Sequence, residues 1–201
     1  ARDATKGNQR IFQANGLPQR TAALVLFGSA LPKWTGGFHN SFSYKGINLT
    51  VLIDFKLGNK MLSGTNFNAY RHGLHKATLE GRVDSVLGVG VNSSGAVNTK
   101  RAAVQTYWEH LRSQQIVEPV IYNGGYWKLR QITLGYDFTR FVPAKWPIKG
   151  VKLDFVASNV LIIKKWVDNI DPESFGFASD NQVGLESPGL PTTRGFGLNL
   201  N

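Results

Sequence analysis

Two neighbouring stretches, residues 34–44 and 47–57, alternate apolar and polar side chains along their whole length, and only Lys45-Gly46 stands between them. In the first, Trp34, Phe38, Phe42 and Tyr44 fall on one face and Thr35, His39, Ser41, Ser43 and Lys45 on the other. In the second, Ile47, Leu49, Val51, Ile53 and Phe55 oppose Asn48, Thr50, Asp54 and Lys56. The pattern predicts a long β-hairpin closed at Gly46, where the missing Cβ lets the backbone take positive φ. Length is the constraint, because an ordinary strand runs ~5 to 6 residues. Strands of about eleven residues at ~3.3 Å each reach roughly 36 Å. Tilted by ~40°, they span close to the ~25 Å apolar band of an outer-membrane barrel. A soluble secreted β-sandwich, such as an adhesin or carbohydrate-binding module, would show the same alternation with one wet face. Pattern alone leaves that alternative open.

Several function classes fall away on composition. No run of eighteen apolar residues occurs, which excludes a spanning helix but not barrel strands, whose signal is alternation. The chain has no cysteine, so disulfides, thiolate metal sites and cysteine nucleophiles are excluded together. Its 22 glycines and 8 prolines are scattered, as suits an all-β chain with many turns. The net charge of +10 raises the possibility of a basic β-rich nucleic-acid binder. The cations are spread along the chain without a basic run or basic helix, and this argues against nucleic acid as a partner. A polar lumen, or loops facing anionic headgroups, accounts for the excess equally well.

Along the chain, residues 1–19 read as a polar loop and Thr21 to Phe27 as a short apolar strand ending at Gly28. After the hairpin, residues 58–125 are rich in Gly, Asn, Ser and charge and read as one long elaborated loop, with a short helix over Gln105 to Ser113. Alternation resumes in Tyr126 to Phe138, but its phase slips: Trp127 and Leu129 share one parity, and Ile132, Leu134 and Tyr136 the other. A bulge near Arg130 repairs the slip. Pro143 and Pro147 mark a turn, Val151 to Ser158 alternates again, residues 169–191 form a second long polar loop, and the chain ends in alternation through Phe196, Leu198 and Leu200. The count is about six membrane-length strands. A closed single-chain barrel needs at least ~8, so these residues predict part of a wall.

The segments GSALPKWTGGFHNSFSYKGINLTVLIDFKLG, GLHKATLEGR, YWEHL, YWKLRQITLGYDF, NIDPES and GLPTTRGFGLNL, in that order, resemble the C-terminal barrel segment of SusC/RagA-type TonB-linked outer-membrane proteins of the Bacteroidetes type. The resemblance spans nearly the whole chain. It implies a transmembrane antiparallel β-barrel, 22-stranded in the family, with long extracellular loops, of which residues 1–201 form a C-terminal part. The plug, TonB box and early strands of such a protein are absent from the sequence, and Asn201 departs from the aromatic residue on which such barrels usually end, so a piece truncated at both ends is expected. By the same resemblance the function is import of glycans or peptides across the cell outer membrane of a Gram-negative bacterium. The implied partners are a SusD-like surface lipoprotein, TonB through the missing region, and outer-membrane lipid. No enzymatic activity and no cofactor are implied.

On this reading Phe38, Phe42, Leu49, Val51 and Ile53 face lipid, and Trp34 and Tyr44 sit near the two interfaces, where an amphipathic ring suits the headgroup boundary. For substrate, the long-loop aromatics Tyr70, Tyr107 and Trp108 are the candidates, because flat rings stack on sugars and give rigid contact area. The competing explanation is that these three rings only pack the loop.

Other chemistry is poorly supported. His72 and His75, with His39 and His110 elsewhere, lack the clustered carboxylates or thiolates that complete a metal site. Asp168, Asp171 and Glu173 lie close together as a glycosidase pair would, but Asp171-Pro172 reads as a turn opener. Gly88 and Gly90 lack the third glycine and following helix of a dinucleotide fingerprint. Asn48-Leu49-Thr50 and Asn92-Ser93-Ser94 match glycosylation acceptors but carry little meaning without a eukaryotic secretory setting.

Overall fold

The structure, a computed structural model, describes residues 1–174 and 182–201. The chain divides into two compact units, one built from Ala1–Phe27 and Leu62–Ile121, the other from Gly28–Met61 and Tyr122–Asn201.

The second unit is a five-stranded antiparallel sheet of β1 (Trp34–Tyr44), β2 (Ile47–Leu57), β3 (Tyr126–Asp137), β4 (Lys152–Lys165) and β5 (Gly195–Leu200). Its order is β5-β4-β3-β2-β1, so every strand lies beside its neighbour in sequence. β1 to β4 are 11, 11, 12 and 14 residues long, well beyond the usual strand length of ~5 to 6. The hairpin turn has Lys45 at φ 46° and Gly46 at φ 89°, the doubly left-handed geometry whose twist matches the flanking strands.

The predicted bulge is present. Leu129 pairs with Ile53 and Gln131 with Leu52, so Arg130 is the extra residue on β3. The offset returns Ile132, Leu134 and Tyr136 to the face of Trp127 and Leu129. Rows of side chains then run across the whole sheet: Phe42, Leu49, Leu134, Phe155 and Leu198 form one, and Tyr44, Ile47, Tyr136, Leu153 and Leu200 the next. Between these rows lie polar rows, such as Ser43, Asn48, Gly135, Asp154 and Asn199, while Leu52 and Val156 are apolar exceptions on the polar face.

Neither face of the sheet edge is covered. All eleven residues of β1 are exposed. On the apolar face Phe42 keeps 61% of its surface and Leu198 70%. A two-sheet sandwich would bury one of these faces under a second layer about 10 Å away.

Two expectations need correction. Thr21 to Phe27 is not a strand: the segment has no regular structure, and Leu24 and Leu26 are fully or nearly fully exposed. An apolar run becomes a strand only where a neighbour offers its backbone hydrogen bonds. The sheet therefore contains five strands rather than about six. Residues 1–19 are also more ordered than a loop, because Gln9–Phe12 pairs antiparallel with Arg2–Asp3 and parallel with Val91–Asn92.

The first unit carries two helices, α1 (Gly64–Arg71) and α2 (Val104–Ser113), and a small core that includes Phe12, Phe67, Tyr70, Val91, Tyr107 and Leu111. The helix expected at Gln105 to Ser113 is α2. Gly88 and Gly90 have a packing explanation. A Cβ at Gly88 would lie 2.0 Å from the Phe12 ring and one at Gly90 2.2 Å from the Arg10 carbonyl oxygen, so only glycine fits. None of the described helices is long and apolar enough to cross a membrane, which has no bearing on strands.

Candidate functional site

The densest chemistry of the second unit lies on the polar side of β3. Alternation puts Tyr126 and Lys128 on that side, and the bulge adds Arg130. Lys128 has 3% of its side chain exposed and donates from Nζ to Asp171 Oδ1 and Glu173 Oε2, each at 2.7 Å. Arg130 donates to Glu173 Oε1 at 2.8 Å, to Asp54 Oδ2 of β2 at 2.5 Å, and to Asn159 Oδ1 of β4 at 2.9 Å. Tyr126 donates its hydroxyl to Glu173, and Thr192 donates to Asp171. Asn159, at φ 49°, also donates to the Thr193 carbonyl. The network ties two points of the β4–β5 connection, near residues 171–173 and 192–193, to the strands beneath.

Asp171-Pro172 opens a turn, in which the Ser174 amide donates to the Asp171 carbonyl at 2.9 Å. The same turn aims both carboxylates at Lys128. Lys165 Nζ reaches the Ile170 carbonyl at 2.7 Å, while Met61, Val167 and Ile170 form a small apolar core with Tyr122 beside it.

The electrostatics argue against acid–base chemistry. Burial raises the pKa of Glu173, but hydrogen bonds from Arg130, Lys128 and Tyr126 outweigh it and hold the carboxyl at about 2. Asp171 is likewise lowered: burial works against ionisation, and Lys128, Thr192 and the Glu173 amide overcome it. A glycosidase general acid needs a raised pKa, whereas these two carboxylates are ionised and fully engaged. Sequence reasoning found the turn but missed its ionic role.

In the first unit the three aromatic candidates come together. Tyr70 and Trp108 stack with centroids 4.9 Å apart at 8°, and Tyr107 meets Trp108 edge-on at 5.1 Å. Tyr70 and Tyr107 are buried, and Trp108 is half-buried. The His75 ring lies against Tyr70 with centroids 4.3 Å apart and planes tilted by 36°, and its Nδ1 accepts from the Ala77 amide at 3.1 Å, so it caps a short turn. His110 Nε2 is 2.9 Å from the Pro18 carbonyl oxygen. Beside α2 lies an open concavity of about 520 Å³ lined by Arg71, Thr106, Glu109, His110, Arg112 and Ser113.

No protein-family model matches the sequence. The chain is 24% identical over 187 residues to TonB-dependent receptor P3 of Formosa agariphila, an alignment covering 90% of this chain and 17% of that protein. It superimposes on the RagAB peptide importer in its closed-closed state with a TM-score of 0.63 at 15% identity, over 94% of this chain and 20% of that one. A second structure of the RagAB peptide transporter gives 0.58 at 17% identity, over 98% and 21%. Over nearly its whole length the chain shares the fold of part of the RagAB peptide importer. It spans about a fifth of the length of the proteins it matches. These relatives are named as a receptor, a peptide importer and a peptide transporter.

Proposed function

We propose that this chain forms wall and outer vestibule of a TonB-dependent outer-membrane importer. One observation carries the reading: an apolar face continuous over five strands stays largely exposed among the described residues, while the opposite face of the same sheet is mostly polar. Hydrocarbon is the solvent that suits such a face, and a wide lumen suits its reverse. Phe38, Phe42, Leu49, Val51 and Ile53 then meet lipid tails. Trp34 and Tyr44, at the two ends of β1 and on its apolar face, meet the two headgroup layers.

The two short connections, at residues 45–46 and 138–151, join strands at one end of the sheet, and the two long ones, at residues 58–125 and 166–194, leave from strand ends at the other. Outer-membrane barrels keep short turns on the periplasmic side and long loops outside. The ionic network thus belongs to the outer end, where it anchors the β4–β5 loop. Of the three candidate aromatics, Trp108 keeps accessible surface for cargo, with Tyr70 and Tyr107 holding its ring.

The partners are a SusD-like surface lipoprotein and TonB, and the cargo is an oligopeptide or oligosaccharide too large for a porin. Support comes from the peptide-importer neighbours and the receptor relative. The test is uptake by intact cells carrying the full-length receptor. Labelled oligopeptide or oligosaccharide should accumulate only with the receptor present and the proton gradient intact. Gradient-independent uptake, or a protein recovered from cells without detergent, contradicts the reading.

A further inference from the structure

The short connection between β3 and β4 carries side chains that take no part in the ionic network, although Arg140 donates to the Tyr136 hydroxyl of β3. Residues 138–151 read FTRFVPAKWPIKGV, with three cations (Arg140, Lys145 and Lys149) and no acid. Its large apolar side chains point outward: Phe141 is 62% exposed, Trp146 56% and Ile148 48%. The segment is held in shape. Asp137 Oδ1 accepts from the Thr139 amide at 2.9 Å, the Phe138 amide donates to the Val151 carbonyl at 2.8 Å, and the Trp146 amide donates to the Pro143 carbonyl at 3.0 Å. The Arg140 guanidinium lies 4.6 Å from the Phe141 ring centroid and 5.6 Å from that of Tyr136. Phe138 packs edge-on against Tyr136 at 4.6 Å, so the cluster continues the apolar face of the sheet. The neighbouring turn adds Lys45 over the Tyr44 ring at 5.2 Å. Asp137 is the acid beside the segment, and it faces Lys152 at 3.9 Å.

Rings that extend a lipid-compatible face, interleaved with cations and without anions of their own, match a boundary of acyl chain and negative headgroup. We propose that the 138–151 connection is a binding surface for anionic phospholipid in the leaflet at the short-turn end of the barrel. Phe141, Trp146 and Ile148 enter the acyl boundary, while Arg140, Lys145 and Lys149 hold the phosphates. This rests on the membrane reading above.

The test uses the full-length receptor in detergent, titrated with phosphatidylglycerol or with phosphatidylcholine, and native mass spectrometry counts the lipids retained. The wild type should retain phosphatidylglycerol preferentially. The variant R140Q/K145Q/K149Q should lose roughly tenfold or more of that preference, since each cation near an anionic surface is worth about fivefold. A control, K33Q/K60Q/K164Q, removes three exposed cations at the other end of the sheet and should keep the preference. Equal retention of both lipids by the wild type, or equal loss in both variants, overturns the proposal while leaving the transporter reading intact. A receptor that never enters membranes overturns both.

Discussion

Lys128 and Asp171 form a buried ion pair at 2.7 Å, with 3% and 6% of their side chains exposed, across 43 positions of sequence. A lysine so deeply buried needs its counter-charge, because desolvation costs several kcal/mol per ion. Here Asp171 and Glu173 both come from the loop, so loop position and charge compensation are coupled. Loop and wall depend on each other.

Removing the cation alone should therefore be costly. K128M is expected to destabilise the docked loop by about 3 to 5 kcal/mol, the cost of leaving buried carboxylates uncompensated. Hydrogen exchange at residues 167–174 is the readout. K128M/D171N should recover part of the protection, because it removes one stranded charge as well. Equal exchange in wild type and K128M contradicts the coupling.

The same network sets a pH dependence. Glu173 titrates at about 2 in the folded protein, below its ordinary value of 4.5. Its contribution is fully present above the unfolded value, declines below about 4.5, and is lost as pH falls through 2. Asp171 shifts in the same direction. Limited proteolysis of the β4–β5 connection with an acid-active protease should be slow at pH 5 and fast at pH 2. Release of the loop between pH 7 and pH 5 contradicts the assignment.

At the hairpin turn, Gly46 sits at φ 89°, and an added Cβ would lie 3.3 Å from the Asp137 carbonyl oxygen. G46A should cost about 1 to 2 kcal/mol, the price of left-handed backbone for an L-residue. Lys45 adopts φ 46° with a Cβ already present. K45N should be neutral or stabilising by up to about 1 kcal/mol, because asparagine visits that region more readily. The midpoint of refolding from urea into lipid checks both substitutions, and opposite signs from those given contradict the turn geometry.

Much of the second unit was legible from local pattern. The hairpin follows from alternation interrupted only by Lys45-Gly46, and the bulge at Arg130 from a parity slip that one extra residue repairs. The ionic network was not, because Asp171 and Glu173 meet Lys128 only after the chain has crossed the sheet. Helix α1 was hidden by poor helix formers in GTNFNAYR. The signal present was Ser63, whose hydroxyl accepts from the Asn66 amide at 3.0 Å as an N-cap. Thr21 to Phe27 misled in the other direction, since hydrophobic composition does not supply a pairing partner. Tyr70, Tyr107 and Trp108 were visible as loop aromatics, but their mutual stacking depends on how α1 meets α2.

Phe55 stacks on Trp127 at 4.5 Å and lies over Gly36, where a Cβ would come within 3.0 Å of its ring. G36V should displace that ring and destabilise the sheet by about 1 to 3 kcal/mol through overpacking. A loss of near-ultraviolet dichroism from Trp127 together with an earlier urea midpoint is the expected result. An unchanged midpoint contradicts the packing.

The central claim is that the apolar face of the sheet meets hydrocarbon, and two neighbouring substitutions on β1 test it most directly. F42K places a cation on the apolar face and S43K places one on the polar face, one residue away. The fraction of full-length receptor assembled in the outer membrane, read as the heat-modifiable folded band, is the measurement. F42K should fall sharply, in line with a cost of about 1 to 3 kcal/mol for lysine between midplane and interface, and S43K should assemble like wild type. Equal tolerance of the two, or greater harm from S43K, contradicts the account.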